Sequence, residues 1–335
     1  MRSFTRLRNN GCGFTLLEVL ITLAVLLVVF VAVIDFLSGI DQSWKSAAAD
    51  PFAEAQNAFE TVAQNLASAT LEPYHDYADA NGNFHTTAAS AFTPDHLARR
   101  SDLDFVCGPG AGANGLLTAS GRTTSGSAVF FLAPNGYTQT YAHTGMARLL
   151  NAMGYLVEFG DDDTAPAFIQ THSWRWRLKQ ILQPAESLQI YSNPTSSAWI
   201  QQMVPTGAAL PVLAENVIAL IVLPERLASD SGPALSSAFS YDSRDTTNLL
   251  TLHQIPPRLR LALVAIDPLS AQRLAAQNGS NPPQLVPATL FQQSAQIDND
   301  LATLDASLTA QTIDHRIFQR TILLPSSAWS NTPSP

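Results

Sequence analysis

Glu18 is the only charged residue in the run FTLLEVLITLAVLLVVFVAVI, residues 14–34. As a helix those positions would extend about 30 Å, enough to cross the hydrocarbon of a bilayer. An ionised carboxylate at that depth costs a few kcal/mol at least unless a cation meets it. The chemistry this residue offers is therefore pairing with a partner group inside lipid. A second chemical pattern is Trp-Arg-Trp-Arg-Leu-Lys at residues 174–179. As a strand it puts Trp174, Trp176 and Leu178 on one face and Arg175, Arg177 and Lys179 on the other. That basic strand face could meet phosphates, or it could be an ordinary solvated outer face paired with nearby acids.

Other patterns carry less. Gly110, Gly112 and Gly115 match G-x-G-x-x-G, but LLTASGRTTSGSAVFF follows, with turns and a strand where a nucleotide loop would open a helix. Asp79-Ala-Asn81-Gly82-Asn83 resembles part of a calcium loop. In EF-hand register, however, Tyr77 and Ala88 occupy positions that need carboxylates, so the segment reads as a turn. Glu158, Asp161, Asp162 and Asp163 form the densest acidic patch. No H-E-x-x-H or G-x-S-x-G occurs, and the seven histidines are scattered. Cys107, at the end of an apolar strand, reads as a small buried hydrophobe.

The elements that must position these residues are legible in outline. Pro51, with Asp50 as N-cap, suits the first turn of a helix. On that helix Phe52, Ala55, Phe59, Val62 and Leu66 form one stripe. Beyond residue 70 the pattern is mainly β. Strands are expected at 103–107, 128–132, 155–159, 174–182, 187–191, 217–223, 259–266 and 317–324. Asp267-Pro268 through Asn278-Gly279 has a cap, a first-turn proline and a terminal glycine, and so reads as a helix. A second helix carries Ile297, Leu301, Leu304 and Leu308 on one face. Residues 326–335, rich in Ser and Pro, read as a disordered tail.

Composition sets the outer limits. The chain has 335 residues, with 18 Lys and Arg against 27 Asp and Glu, a net charge of −9. That balance argues against a general nucleic-acid binder, which needs a positive field. Arg2, Arg6 and Arg8 precede the apolar run with no acid among them, which puts the N-terminus in the cytoplasm and the rest across the membrane. A cleavable secretory signal fits poorly, because its only small-residue site, Ala47-Ala48-Ala49, lies well beyond the apolar block. A lipoprotein signal fails because Arg-Asn-Asn-Gly precedes Cys12. An uncleaved anchor leaves Glu18 without a purpose.

The segment Gly13-Phe14-Thr15-Leu16-Leu17-Glu18-Val19-Leu20 resembles the processing motif of type IV prepilins and type II secretion pseudopilins. It has the basic leader, the glycine, the aromatic residue, the acid five positions into the mature chain and the long apolar helix. The resemblance implies cleavage after Gly13 by a prepilin peptidase in the inner membrane, N-methylation of Phe14, and docking of Glu18 onto a neighbouring subunit's amine. Cleavage would remove three arginines and Cys12, leaving Cys107 as the lone thiol and a formal charge of −12 before the new amine.

At the other end, the Asn216-led VIALIVLPER, the segment Pro256-Pro257-Arg-Leu-Arg-Leu-Ala-Leu-Val and the final strand resemble the paired strands of J-type minor pseudopilins. AVFFLAPNG and LVAIDPLSAQRLA resemble the large prepilin-like proteins of Verrucomicrobia cassettes, the cassette protein C type.

The resemblance implies an α+β, pilin-like fold, with a long N-terminal helix packed on a mainly antiparallel β head. Its parts are a leader at 1–13, a transmembrane helix at 14–35, an amphipathic continuation at 36–70, a periplasmic head at 71–325 and the tail. The implied role is non-enzymatic: an inner-membrane assembly subunit of a secretion or pilus-like filament. Its partners would be the peptidase, like subunits and lipid. The rival is an adhesive or DNA- or glycan-binding module exported by the same route. No cofactor is expected. Some pseudopilins bind calcium through loop carboxylates, which bears on Glu158 and its acidic neighbours, although a solvated turn is the plainer reading there.

Overall fold

The computed structural model describes residues 20, 26, 50–86, 92–112, 115–161, 173–191, 198–230 and 232–332. The chain divides into two units, residues 1–51 and 52–335. In the first, Leu20 and Leu26 are helical and exposed. Gly13, Phe14 and Glu18, and nearly all of the expected leader, transmembrane helix and continuation to residue 49, lie outside the described residues. Among the described residues no helix is long and apolar enough to cross a membrane.

The second unit opens with α1, Ala53–Ala67. Its stripe is the expected one: Phe52, Ala55, Phe59, Val62 and Leu66 are all buried, joined by Ala58 and Ala63. Each large member contributes roughly 1.5–3 kcal/mol of burial. Its start differs from expectation. Phe52, not Asp50, is the N-cap residue, and no side chain caps the helix. Glu54 in the first turn compensates: its carboxylate lies at the positive end of the helix dipole and accepts a hydrogen bond from the Glu215 backbone N–H at 3.0 Å.

The head is α+β, with a curled, largely antiparallel sheet. One part is β8 (Val217–Glu225), β10 (Arg258–Ile266) and β11 (His315–Leu323), with β10 central and antiparallel to both neighbours. The other runs from β4 (Thr124–Pro134) through β5 (Leu150–Gly160) and β6 (Arg175–Gln183) to β7 (Val212–Glu215). Against β4 lies β3 (Val106–Pro109), which also pairs β9 (Tyr241–Asp242). The two parts meet at one parallel bridge, Gly126 to Leu220. Gly126 has φ +69°, and a Cβ there would lie 2.3 Å from the Leu220 carbonyl oxygen, so this junction requires glycine. Asn216, at φ 59°, is the single residue that carries the chain from β7 into β8. Asparagine tolerates that conformation better than most residues.

Ala128–Ala133 and Val217–Val222 are fully or almost fully buried, as continuous apolar runs are when both sheet faces are covered. Adjacent side chains show the two covers. Phe131 stacks on Tyr155, whose phenolic oxygen accepts from Asn65 of α1 at 2.6 Å. Phe130, pointing oppositely, meets the Trp199 ring edge-on at 6.3 Å, on α2 (Trp199–Met203).

Helix α3 (Pro268–Asn278) bears the expected ends, with Asp267 accepting from the Leu269 and Ser270 N–H groups and Gly279 at the C-cap. Helix α4 (Ile297–Ala310) buries its apolar face and Asp300 as well. Other expectations need correction. The strand at 187–191 is absent; a 3-10 turn, Ala185–Ser187, and irregular chain stand there. Strands β1 (Tyr74–Ala78) and β2 (His96–Arg100) form an unexpected two-stranded sheet. Residues 326–332 of the tail are tied down: Ser326 donates to the Ala69 carbonyl, Ser327 to that of Ile255, and the Ser330 N–H to Gln254.

Candidate functional site

The basic residues of β6 are the first candidates. The alternation is as read from the sequence, but two of the three basic residues are not solvated, and Arg175 is only partly so. Arg177 is 1% exposed and Lys179 4%. The Arg177 guanidinium donates to the carbonyls of Gly160 (2.8 Å), Asp161 (3.0 Å) and Ser173 (3.0 Å), and its Nε donates to Glu215 at 3.3 Å. Arg175 takes the other Glu215 oxygen at 2.9 Å, and Lys179 Nζ donates to the Leu210 carbonyl at 3.2 Å. The stripe is therefore an internal clamp. It grips the ends of the β5–β6 connection and the β7 edge, and it offers no phosphate-binding surface. Through Glu215, whose N–H bonds Glu54, the clamp also reaches α1. On the opposite side of the head, Arg320 of β11 pairs with Glu60 of the same helix. Helix α1 is thus held by a buried stripe and by polar ties to both outer strands.

A second cluster lies at the start of β3. Asp104 is fully buried and accepts from Trp199 Nε1 at 2.9 Å and from Ser243 Oγ at 2.8 Å, with Arg244 Nε at 4.0 Å. Burial, reinforced by the Asp242 carboxylate, pushes Asp104 up to about 6. His253 is pushed down to about 4 by burial and by the nearby Arg99, Arg244 and Arg100. Ser243 Oγ also accepts from the Phe105 N–H at 2.8 Å. Its hydroxyl hydrogen is directed at Asp104, so Ser243 bridges that carboxylate and the β3 entry backbone. The sequence signal for this cluster was slight: one acid, Asp104, inside an apolar run. Its partners lie up to 139 positions away.

The remaining motifs resolve as local structure. Asp79 Oδ1 accepts from the Asn81 and Asn83 N–H groups, a turn in which those bonds lower the carboxyl's pKa, the Asn83 bond foremost. After Gly110 and Gly112 the chain makes a 3-10 turn, Thr118–Ser120, and enters β4. Glu158 is paired with Arg122 at 2.7 Å, while Asp162 and Asp163 lie outside the described residues. Cys107 is buried, which raises its thiol pKa. Among the described residues no group of three or more His, Cys, Asp or Glu is placed to hold a metal ion.

Residues 8–34 match the family model described as the prokaryotic N-terminal methylation motif. The matched stretch contains Gly13, Phe14 and Glu18, so the chain opens with a prepilin-type motif. Such a motif implies processing by a prepilin peptidase and assembly with other pilin-type subunits. No curated protein and no solved structure matches the chain.

Proposed function

We propose that the protein is a membrane-anchored minor pseudopilin, an assembly subunit of a type II secretion or type IV pilus-like filament. The observation that carries this reading is the methylation motif at residues 8–34. Phe14 would become the methylated N-terminus after cleavage behind Gly13. Residues 14–35 would hold the chain in the inner membrane, with the head in the periplasm. Glu18 would pair with the new amine of a neighbouring subunit, an arrangement that compensates a carboxylate in lipid.

The head supports a structural role. Helix α1 is locked to the sheet, so a force on the N-terminal helix would be borne by the whole unit. The antiparallel set β8, β10 and β11 is in keeping with the paired C-terminal strands that motivate a J-type assignment; the cassette protein C assignment rests on the sequence resemblance of AVFFLAPNG and LVAIDPLSAQRLA alone. The role is structural and not catalytic.

Glu18→Leu tests the reading. The variant should enter the membrane normally, yet in-membrane crosslinking through residues 14–40 should yield at least about tenfold fewer adducts with other pilin-type subunits, as loss of a buried ion pair predicts. Undiminished crosslinking would remove the assembly role of that carboxylate.

A further inference from the structure

The two outer edges of the main sheet are finished differently. Strand β7 is four residues long, and its last N–H, from Glu215, is taken by Glu54 of α1. Strand β11 runs nine residues in unbroken register with β10. The Leu324 N–H donates to the Pro257 carbonyl at 3.1 Å, one step beyond that register. Backbone groups alternate in direction along an antiparallel strand, so the even-numbered residues of β11 point theirs at β10. Ile317, Gln319, Thr321 and Leu323 therefore point their N–H and C=O groups outward. None of these groups has a hydrogen-bond partner among the described residues.

This edge can be reached. Gln319, Arg320, Thr321 and Leu323 are all exposed, Leu323 at 60%. Sheet edges are ordinarily kept short, bulged or covered, because an open row of donors and acceptors is a template for another strand. Strand β11 is neither short nor bulged.

Its charge indicates what would pair with it. HRIFQRTIL carries two arginines and no acid, in a chain whose net charge is −9. Beside it lies a shallow hollow of about 390 Å³, lined by Arg258, Arg260 and Arg320 with Gln319, Thr321 and one acid, Glu225. Glu225 meets Arg258 at 2.8 Å, while Asp298 and Glu60 reach Arg260 and Arg320 from the flanking helices. A guanidinium has more donors than one carboxylate uses, so these arginines can take a second. Pairing with β11 of another copy would bring two arginines from each strand together with no acid from either, and like charges across a strand pair are destabilising.

We propose that the outer edge of β11 takes up an extended acidic segment of a partner protein as an added strand. The backbone ladder supplies affinity. Carboxylates at alternate positions of the segment select it by meeting Arg316 and Arg320, which share the α1 side of the strand. The inference rests on the head alone and does not require the filament reading.

The test is fluorescence anisotropy of the full chain in nanodiscs of zwitterionic lipid, at low ionic strength. The probes are dye-labelled Thr-Glu-Val-Glu-Val-Glu-Thr, its counterpart with lysine for glutamate, and a version with proline for both valines. The acidic peptide should bind at least about tenfold more tightly than either alternative. Thr321→Pro removes an outward donor and no bond to β10, so it should abolish binding with little change in the urea midpoint. Arg320→Glu, which leaves the backbone ladder intact, should weaken binding by at least about tenfold. Failure of the acidic peptide to bind, equal binding of the lysine or proline peptide, or indifference to both variants would overturn the proposal. So would self-association of the chain that Thr321→Pro abolishes, since the edge would then serve a second copy.

Discussion

Two buried ionic clusters in the head solve the same problem differently. At the β6–β7 edge, Arg177 directs its donors to three backbone carbonyls and to a carboxylate, Glu215, that keeps a third of its side chain in water. At the start of β3, Asp104 has no exposure at all, and its nearest cation stands 4.0 Å away. The first cluster fastens chain ends through permanent charge. The second holds groups whose ionisation responds to pH, Asp104 shifted upward and His253 downward. Burial alone therefore does not determine what a charge does; the number of hydrogen bonds and the residual access to water decide it.

The largest effect should come from breaking the first cluster. Arg177→Met would remove the guanidinium from three carbonyls and leave Glu215 with Arg175 as its remaining arginine partner. It should cost about 3–5 kcal/mol, read as a lowered urea midpoint at unchanged slope. A loss below about 1 kcal/mol would show that the clamp is not what secures this edge.

Next comes the pH response of the second cluster. Asp104 has a folded pKa above its ordinary value of 3.8, so its contribution to stability is full below about 4 and is lost as pH rises to about 6. His253 is depressed from 6.5 to about 4, so its contribution is full above 6.5 and is lost as pH falls to about 4. Each amounts to about 3 kcal/mol, with opposite sign, and in the native chain they largely cancel. Asp104→Asn should therefore destabilise the head progressively as pH falls from 6.5 to 4. His253→Gln should do so as pH rises from 4 to 6. Denaturation curves across that window check both, and parallel curves for the two variants would refute the assignment. The smallest effect belongs to the Arg320–Glu60 pair, about half exposed on both sides. Arg320→Ala should change the urea midpoint by no more than roughly 0.5 kcal/mol of stability.

Legibility in the sequence followed the range of the interactions. Asp267, Pro268 and Gly279 mark helix α3 through bonds within a few residues, and the α1 stripe needs only periodicity. Gly13, Phe14 and Glu18 are equally local, and the match at residues 8–34 covers them. Alternation at Trp174–Lys179 correctly separated two faces, yet alternation cannot say what covers a face. Here Glu215 and Leu210, more than thirty positions on, convert an apparent basic surface into an interior clamp. Strands β1 and β2, YHDYA and HLARR, escaped notice because they are polar and lack the apolar rhythm of a buried strand: β1 is largely exposed, and the buried residues of β2, Ala98 and Arg99, are adjacent and not alternating. The Asp104 cluster joins segments far apart in the chain, and its one local sign was an acid inside an apolar run.

Intact-mass analysis of the protein taken from its native membrane tests the central claim most directly. The account predicts a chain that starts at Phe14 and carries one methyl group on its α-amine. A mass that still includes Met1–Gly13 would contradict it.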